Sequence, residues 1–397
     1  DSDRRTARFV AGAEDSGAFT VRFTVWDDTG LSDSCEMIVS VGGAPVAICP
    51  EDMTVPTRTT ATLEGNAEDD GTIVSWQWAC TGYDTDTPPT LGSPAAQDTT
   101  FWALRVGRYT MQLTVTDDQG LSDSCTFVVT TTETGPTVIC PATVETTPLT
   151  EIELTGAGED DGAITRYDWE LVSKPTGSSA SPPSPSQGQT TYFMPDIAGE
   201  YTIRLTVTDD HGHTASCEFI VRALSGEGLR VEIYWNPPES PADTSDVDVH
   251  LLHPSAPNWF HNQYDCYYAN CDSRMYVLEW DAPGPDDNPR LDLDDVDGYG
   301  PENINVNVPV SAYIYTVGIH YYNADTMGPA QVYVKIYCGE ISTYPIYEAG
   351  PTTLYDHNTG PYSNDFWKVA TVQWNGYACS VVPINTIVSA QEASTSR

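Results

Sequence analysis

The sequence predicts an all-β protein in which tandem two-layer sandwiches are followed by a larger C-terminal β domain. Three observations predict it. A 21-residue pattern, clearest from Tyr201 to Val221, recurs from Tyr109 to Val129 and from Phe19 to Val39. The aspartates that mark it, Asp27, Asp117 and Asp209, lie 90 and 92 residues apart, which suits sandwich domains and is too long for solenoid repeats. No stretch of the 397 residues carries a helical hydrophobic period.

Each copy of the pattern reads as a hairpin. Tyr201, Ile203, Leu205 and Val207 alternate with Thr202, Arg204, Thr206 and Thr208, the period of a strand with one buried face. Asp209-Asp210-His211-Gly212 supplies the turn, because Asp bonds its own backbone and Gly accepts positive φ. Cys217, Phe219 and Val221 then alternate on the returning strand.

Composition narrows the function. With 57 acidic and 17 basic residues, a net charge of -40 repels phosphate backbones and anionic lipid, which excludes nucleic acid as a partner. Such a chain also repels itself when compact, which bound divalent cations or a salty medium would ease, so calcium is a reasonable expectation. Ten cysteines at repeat-matched positions, with no Cys-x-x-Cys, read as a disulfide framework in an extracellular or periplasmic setting. No apolar run approaches the roughly 18 residues of a membrane span. No signal-peptide pattern opens the chain, so a mature chain or a fragment is expected.

Taken in order, residues 1–42 contain only the second half of a repeat, leaving Phe19, Val21, Phe23 and Val25 without an opposing sheet. Either the chain extends upstream of Asp1, or a neighbouring molecule donates strands and builds an open filament. Residues 44–132 and 135–224 are complete repeats joined by short Gly-Pro linkers, so a rod of stacked domains is expected. Their lengths, the Thr-Val-Thr-Asp strand ends and the segments Tyr167 to Leu171 and Lys174 to Ser178 resemble the polycystic-kidney-disease-type (PKD) repeat. The resemblance implies immunoglobulin-like sandwiches whose first and last strands run side by side. That pairs Cys49 with Cys125 and Cys140 with Cys217, and leaves Cys35 and Cys80 unassigned.

In the same topology, two acidic turns of each repeat fall at one end of the sandwich. Asp69 and Asp70 would meet Asp117 and Asp118, and Asp160 and Asp161 would meet Asp209 and Asp210. Each set is a possible calcium site or a pair of solvated Asp-Gly turns. The Pro- and Ser-rich segment from Ser178 to Gln189 reads as a surface loop.

From 228 to 390 the pattern changes to a separate β domain, followed by a tail, 391–397. Strands are expected at 231–235, 246–252, 304–308, 313–322, 330–338 and 367–374. Asp246 to His250 and Gly300 to Asn303 resemble an uncharacterised β domain of bacterial surface proteins, which brings no known activity. Asp246 and Asp248 share a strand face, as do Asp292 and Asp294, and Asp295, Asp297, Glu302 and Asn303 follow. Two acidic faces side by side repel unless a cation lies between them, so this is the main calcium expectation, the alternative being a solvated acidic loop. It is not an EF-hand, because Asp297 stands at the glycine position and Asn303 at the twelfth.

The segment with Trp259, Phe260, Tyr264, Tyr267 and Tyr268, stapled by Cys266 to Cys271, suits sugar stacking or a protein interface, or else covers the domain's own core. Cys338 and Cys379 pair by elimination. His250 and His253 make a poor zinc pair, and no nucleophile elbow, zincin or phosphate-loop motif occurs. The sequence therefore reads as a non-enzymatic secreted or cell-surface protein, structural or adhesive, that contacts protein or carbohydrate or self-associates into a fibre. The alternative is the substrate-targeting region of a larger secreted hydrolase.

Overall fold

The computed structural model describes residues 6–12, 17–226, 228–236, 245–272, 278–296, 298–324, 328–339, 341–357 and 360–397. The repeated hairpin forms in all three places, and its turn shows why the sequence recurs. Asp117 Oδ1 accepts the amides of Gln119 and Leu121 at 2.9 and 2.8 Å. Asp209 Oδ1 does the same for His211 and His213, and Asp27 Oδ1 for Thr29 and Leu31. Gly30, Gly120 and Gly212 sit at φ of 88°, 83° and 89°, a left-handed conformation that disfavours any residue with a Cβ.

Residues 46–132 make a sandwich. One sheet has the order Met53–Pro56, Ser122–Thr132, Arg108–Asp117, Ile73–Tyr83, and short ladders built on Val46–Ile48 and Thr99–Trp102 complete the domain. Tyr109, Met111, Leu113 and Val115, the alternating face of the sequence, are fully buried against Trp78, Phe101 and Phe127. Tyr109 and Phe101 meet edge to face at 5.4 Å, and Trp78 meets Phe127 at 6.3 Å. Removing a core ring of this kind, as in Trp78→Ala, costs about 3–5 kcal/mol. The Tyr109 hydroxyl donates back to the Arg105 carbonyl at 2.9 Å, a corner repeated by Tyr201 and Ile197.

Residues 137–223 repeat the plan, with Val144–Thr146, Thr214–Ala223, Gly199–Asp209 and Ile164–Ser173 in one sheet. Disulfides Cys49–Cys125 and Cys140–Cys217 close loops of 76 and 77 residues, worth about 4 kcal/mol each on the loop-entropy model. The first hairpin, Gly17–Trp26 with Ser32–Val41, has the same register, Phe23 opposite Cys35 as Leu113 is opposite Cys125. Its face stays open: Phe23 is 53% exposed where Leu113 is 0%.

The chain packs as two compact units. One takes 1–137 together with 159–165 and 209–214, and the other takes 138–158, 166–208 and 215–397. Two turns of the third repeat thus belong to the first unit.

The C-terminal domain is a sandwich of two five-stranded sheets. The first runs Pro289–Leu293, Glu302–Val306, Leu229–Asn236, Ala330–Cys338, Tyr347–Leu354. The second runs Asp265–Cys266, Asp246–Leu252, Ile314–Asn323, Asp365–Trp374, Cys379–Ser389. Val231, Ile233, Val247, Val249, Val317, Ile319, Val334 and Trp367 fill the space between them. Disulfides Cys266–Cys271 and Cys338–Cys379 are present. Four strands lie outside the ranges expected from sequence, Asp265–Cys266 and three that each hold a proline, Pro289, Pro351 or Pro383. The three with proline are sheet edges, where the missing N–H costs least. Residues 391–397 are not simply a tail, since Ala390–Ala393 forms a helical turn and buries both its alanine ends beside Trp259 and Phe366.

Candidate metal centres

The first cluster forms where the acidic turns of the third repeat pack in the first unit. Glu133, from the linker after Ser122–Thr132, places one carboxylate oxygen within 4.8 Å of oxygens from Asp160 and Asp161, and another such group joins Glu133, Asp209 and His213. Turn chemistry positions the carboxylates: Asp160 Oδ2 accepts the Gly162 amide at 2.8 Å. Asp161 is buried, and its Oδ2 accepts the Thr134 amide at 3.1 Å and the Thr57 hydroxyl. Oδ1 of Asp161 and of Asp160 and Oε1 of Glu133 are buried without a hydrogen-bond partner among the described residues.

Basic groups ring this cluster. His211 Nδ1 lies 3.4 Å from Glu133 and 3.2 Å from Asp210, and the Glu133 carboxylate raises the His211 pKa. Burial, then Asp161, raises the Glu133 pKa. Burial is also the largest influence on Asp209 and pushes its pKa up, yet the backbone amides and His213 together hold it below its ordinary value. Arg105 donates to the Asp161 carbonyl at 2.7 Å.

The equivalent end of the second repeat is built from the same turns with less charge. The Gly43 amide donates to Asp70 Oδ2 at 3.2 Å, as Thr134 does to Asp161. Asp69 Oδ2 accepts the Gly71 amide at 2.9 Å. A Cβ on Gly71 would lie 3.0 Å from Asp118 and 3.2 Å from Asp69, so these carboxylates do converge. Gly42 stands where Glu133 stands in the other junction, and Gln119 where His211 stands. Among the described residues, Asp69, Asp70, Asp117 and Asp118 form no group at ligand spacing.

The second cluster lies in the C-terminal sandwich. Asp246, Asp248 and Glu302 bring one oxygen each within 4.8 Å of the others. Strand register builds it: a bulge after Asp246 leaves Asp248 opposite His320, and Glu302 opens a strand of the facing sheet. Glu302 Oε2 accepts the Val249 amide at 2.8 Å and so ties the two sheets. Burial raises the Glu302 pKa well above the usual carboxylate range, and Asp248, Asp294 and Asp246 push it further. Two unit charges 4 Å apart repel by about 4 kcal/mol at an effective dielectric constant of 20, a large share of a domain's stability.

Several expected ligands serve elsewhere. Asp292 pairs with Arg290 at 3.4 Å and accepts from Asn305, and Asp295 Oδ2 accepts the Gly300 amide at 2.9 Å. Asn303 is buried and its Oδ1 accepts from Asn305 at 2.9 Å, while Asp294 lies near enough to act on Glu302. Asp297 falls outside the described residues.

Much of the aromatic segment packs inward, with Phe260, Tyr264 and Tyr268 half-buried. Trp259 and Tyr267 are buried, Tyr267 stacks on His250 at 4.8 Å, and Phe260 meets Phe366 at 5.7 Å. Tyr264 stacks on His253 and Tyr268 meets Tyr322. His250 Nδ1 pairs with buried Asp265 at 2.9 Å, and His253 pairs with Asp281. Three residues of the clusters, Glu133, His211 and His320, carry no signal in the motifs. Aligning the two linkers residue by residue exposes the first two, but His320 becomes visible only through strand register.

Residues 50–131 and 142–222 match the family model of the KIAA0319-like PKD domain. The mouse dyslexia-associated protein KIAA0319-like protein is 31% identical over 191 residues, 45% of this chain and 17% of its own length. The rat dyslexia-associated protein KIAA0319 homolog is 25% identical over 218 residues, 52% of this chain and 20% of its own. The chain thus spans about a fifth or less of these relatives. Among solved structures, the PKD domain from KIAA 1837 protein is 27% identical, covering 23% of this chain and 91% of its own, at a TM-score of 0.20. The D00-D0 domain of Intimin is 15% identical, covering 45% and 98%, at a TM-score of 0.23. The relatives are mammalian and lend no support to a bacterial source, and the C-terminal domain lies outside the residues matched by the family model.

Proposed function

We propose that this chain, with its two PKD-type repeats, is a non-enzymatic part of a secreted or cell-surface protein with a structural or adhesive role. The disulfide-closed repeats act as spacers and the C-terminal sandwich makes the contacts, with protein or carbohydrate at the surface or with further copies in a fibre. Calcium is the cofactor on this reading, held where the turns 159–165 and 209–214 meet the Glu133 linker.

The observation that carries it is the convergence of Glu133, Asp160, Asp161 and Asp209 on the segment that joins one repeat to the next. A spacer must transmit load through such a segment, and a cation shared by linker and turns would fasten it. Calcium suits the oxygen-rich set, because it takes six to eight oxygen ligands in flexible geometry.

The test is cleavage of the intact chain after Glu133 by a glutamate-specific protease, in calcium and in chelator. Cleavage should slow at least several-fold in calcium, and Glu133-Thr134 should be protected more than Glu36-Met37 of the first hairpin. Equal rates in both conditions would remove calcium from this reading.

A further inference from the structure

We infer that the C-terminal sandwich has its own enclosed site for one hard divalent cation, calcium by preference, held by Asp246, Asp248 and Glu302 and fastening the two sheets to each other. The site is separate from the turn cluster and goes beyond the spacer reading, since none of its residues belongs to a repeat.

Where the carboxylates come from makes the first part of the case. Asp246 and Asp248 stand on a strand of one sheet and Glu302 on a strand of the other, so an ion among them would bridge the layers. Oxygens sharing a calcium at 2.3–2.6 Å lie up to about 5 Å apart, and these three lie within 4.8 Å.

Burial makes the second part. Glu302 is 1% exposed and Asp248 2% exposed. Glu302 Oε1 and Asp248 Oδ2 have no hydrogen-bond partner among the described residues. A solvated acidic surface would leave such oxygens to water, but these are out of its reach. A buried carboxylate oxygen without a donor costs about 1–3 kcal/mol or more, so the arrangement lacks a positive partner.

His320 is the nearest basic group and supplies an independent indication. Its Nε2 lies 2.9 Å from the Pro361 carbonyl, which can only accept, so Nε2 carries a proton. In the neutral ring Nδ1 is then a lone pair. That atom is buried, has no hydrogen-bond partner among the described residues, and lies 3.6 Å from Asp248 Oδ2, too far for a hydrogen bond. A neutral His320 therefore supplies Asp248 with no donor, and the carboxylates keep their need for a cation.

The chemistry of the set selects the ion. Carboxylate oxygens suit calcium, magnesium or manganese, whereas zinc favours nitrogen and sulfur. Three acidic side chains give three to six oxygens, a fair share of a calcium shell.

The experiment is calcium titration by calorimetry on the intact, chelator-stripped chain, paired with hydrogen exchange at the Val249 amide. Wild type should bind calcium and slow Val249 exchange at least tenfold, and Glu302→Gln and Asp248→Asn should each lose one equivalent of binding and that protection. Both variants remove a buried charge, so they should melt in chelator no lower than wild type, which separates a lost site from a lost fold. Glu133→Gln should leave Val249 protection unchanged, so failure of the turn cluster is read apart from failure here. The inference is overturned if wild-type Val249 exchange ignores calcium and magnesium, if zinc alone protects it, or if both variants bind as wild type does.

Discussion

The two carboxylate clusters differ in what already satisfies them. In the turn cluster Asp160 has the Gly162 amide, Asp161 has Thr57 and Thr134, and Asp209 has two amides and His213, although one oxygen each of Asp160, Asp161 and Glu133 stays without a partner among the described residues. His211 also stands beside Glu133 and Asp210. In the C-terminal sandwich the Val249 amide meets one oxygen of Glu302, and His320 stays out of hydrogen-bond reach of Asp248. A cluster's acid count therefore does not set its need for a cation. Turn aspartates bring their own amide donors, whereas strand aspartates have spent the local amides on the sheet ladder.

The contrast is most exposed to failure at the C-terminal site. At calcium a hundredfold above Kd, a native-only ligand contributes about 2.7 kcal/mol, so chelation should lower the melting of that domain by several degrees. The double variant Asp248→Asn/Glu302→Gln should abolish that difference in calorimetric scans. Equal responses of wild type and double variant would erase the contrast between the clusters.

A weaker response is expected at the turns, because His211 and the backbone amides already offset the charge there. Glu133→Gln should change stability in chelator by about 1 kcal/mol or less and reduce the calcium response only in part. Chemical denaturation of the first unit, followed through Trp78, measures it.

Titration in chelator tests the turn cluster in another way. Glu133 and His211 have folded pKa values raised above their ordinary 4.5 and 6.5. The stability each contributes is therefore full below its ordinary value and fades as pH rises through the raised one. Asp209 is lowered from 3.8, so its contribution is present above that value and is lost as pH falls. Without calcium the turn cluster should loosen as pH rises through the raised values of Glu133 and His211, and calcium should flatten that slope. A slope of opposite sign in thermal melts would contradict the placement of Glu133 and His211.

Transplanting the charge should do least. Gly42→Glu with Gln119→His gives the first junction the residues of the second. A Cβ on Gly42 would meet the terminal amide of Gln119, which the paired change removes. A modest calcium response, well under that of the C-terminal site, should appear in protease protection of residues 42–45.

The sandwiches were legible because the hairpin encodes itself: alternation sets the buried face, Asp sets the turn, and Gly sets the positive φ. The disulfides of the repeats followed from the PKD resemblance, which sets first and last strands side by side. Edge strands with Pro289, Pro351 and Pro383 were hidden because proline argues against a strand unless its edge position is known. The C-terminal site was half legible. Asp246, Asp248 and Glu302 stood out as acids, but Asp292 and Asp295 did too, and only packing assigns Asp292 to Arg290 and Asn305 and Asp295 to a turn. His320 could not be found from spacing, because it lies 72 residues from Asp248 and meets it only through register.

Anomalous scattering from crystals grown in calcium would decide whether the enclosed carboxylates hold an ion. A peak is expected among Asp246, Asp248 and Glu302 at about 2.3–2.6 Å from their oxygens, with a weaker one beside Glu133 and Asp161. Well-ordered carboxylates at both places with no anomalous peak, at millimolar calcium and neutral pH, would contradict the metal-bridged sandwich.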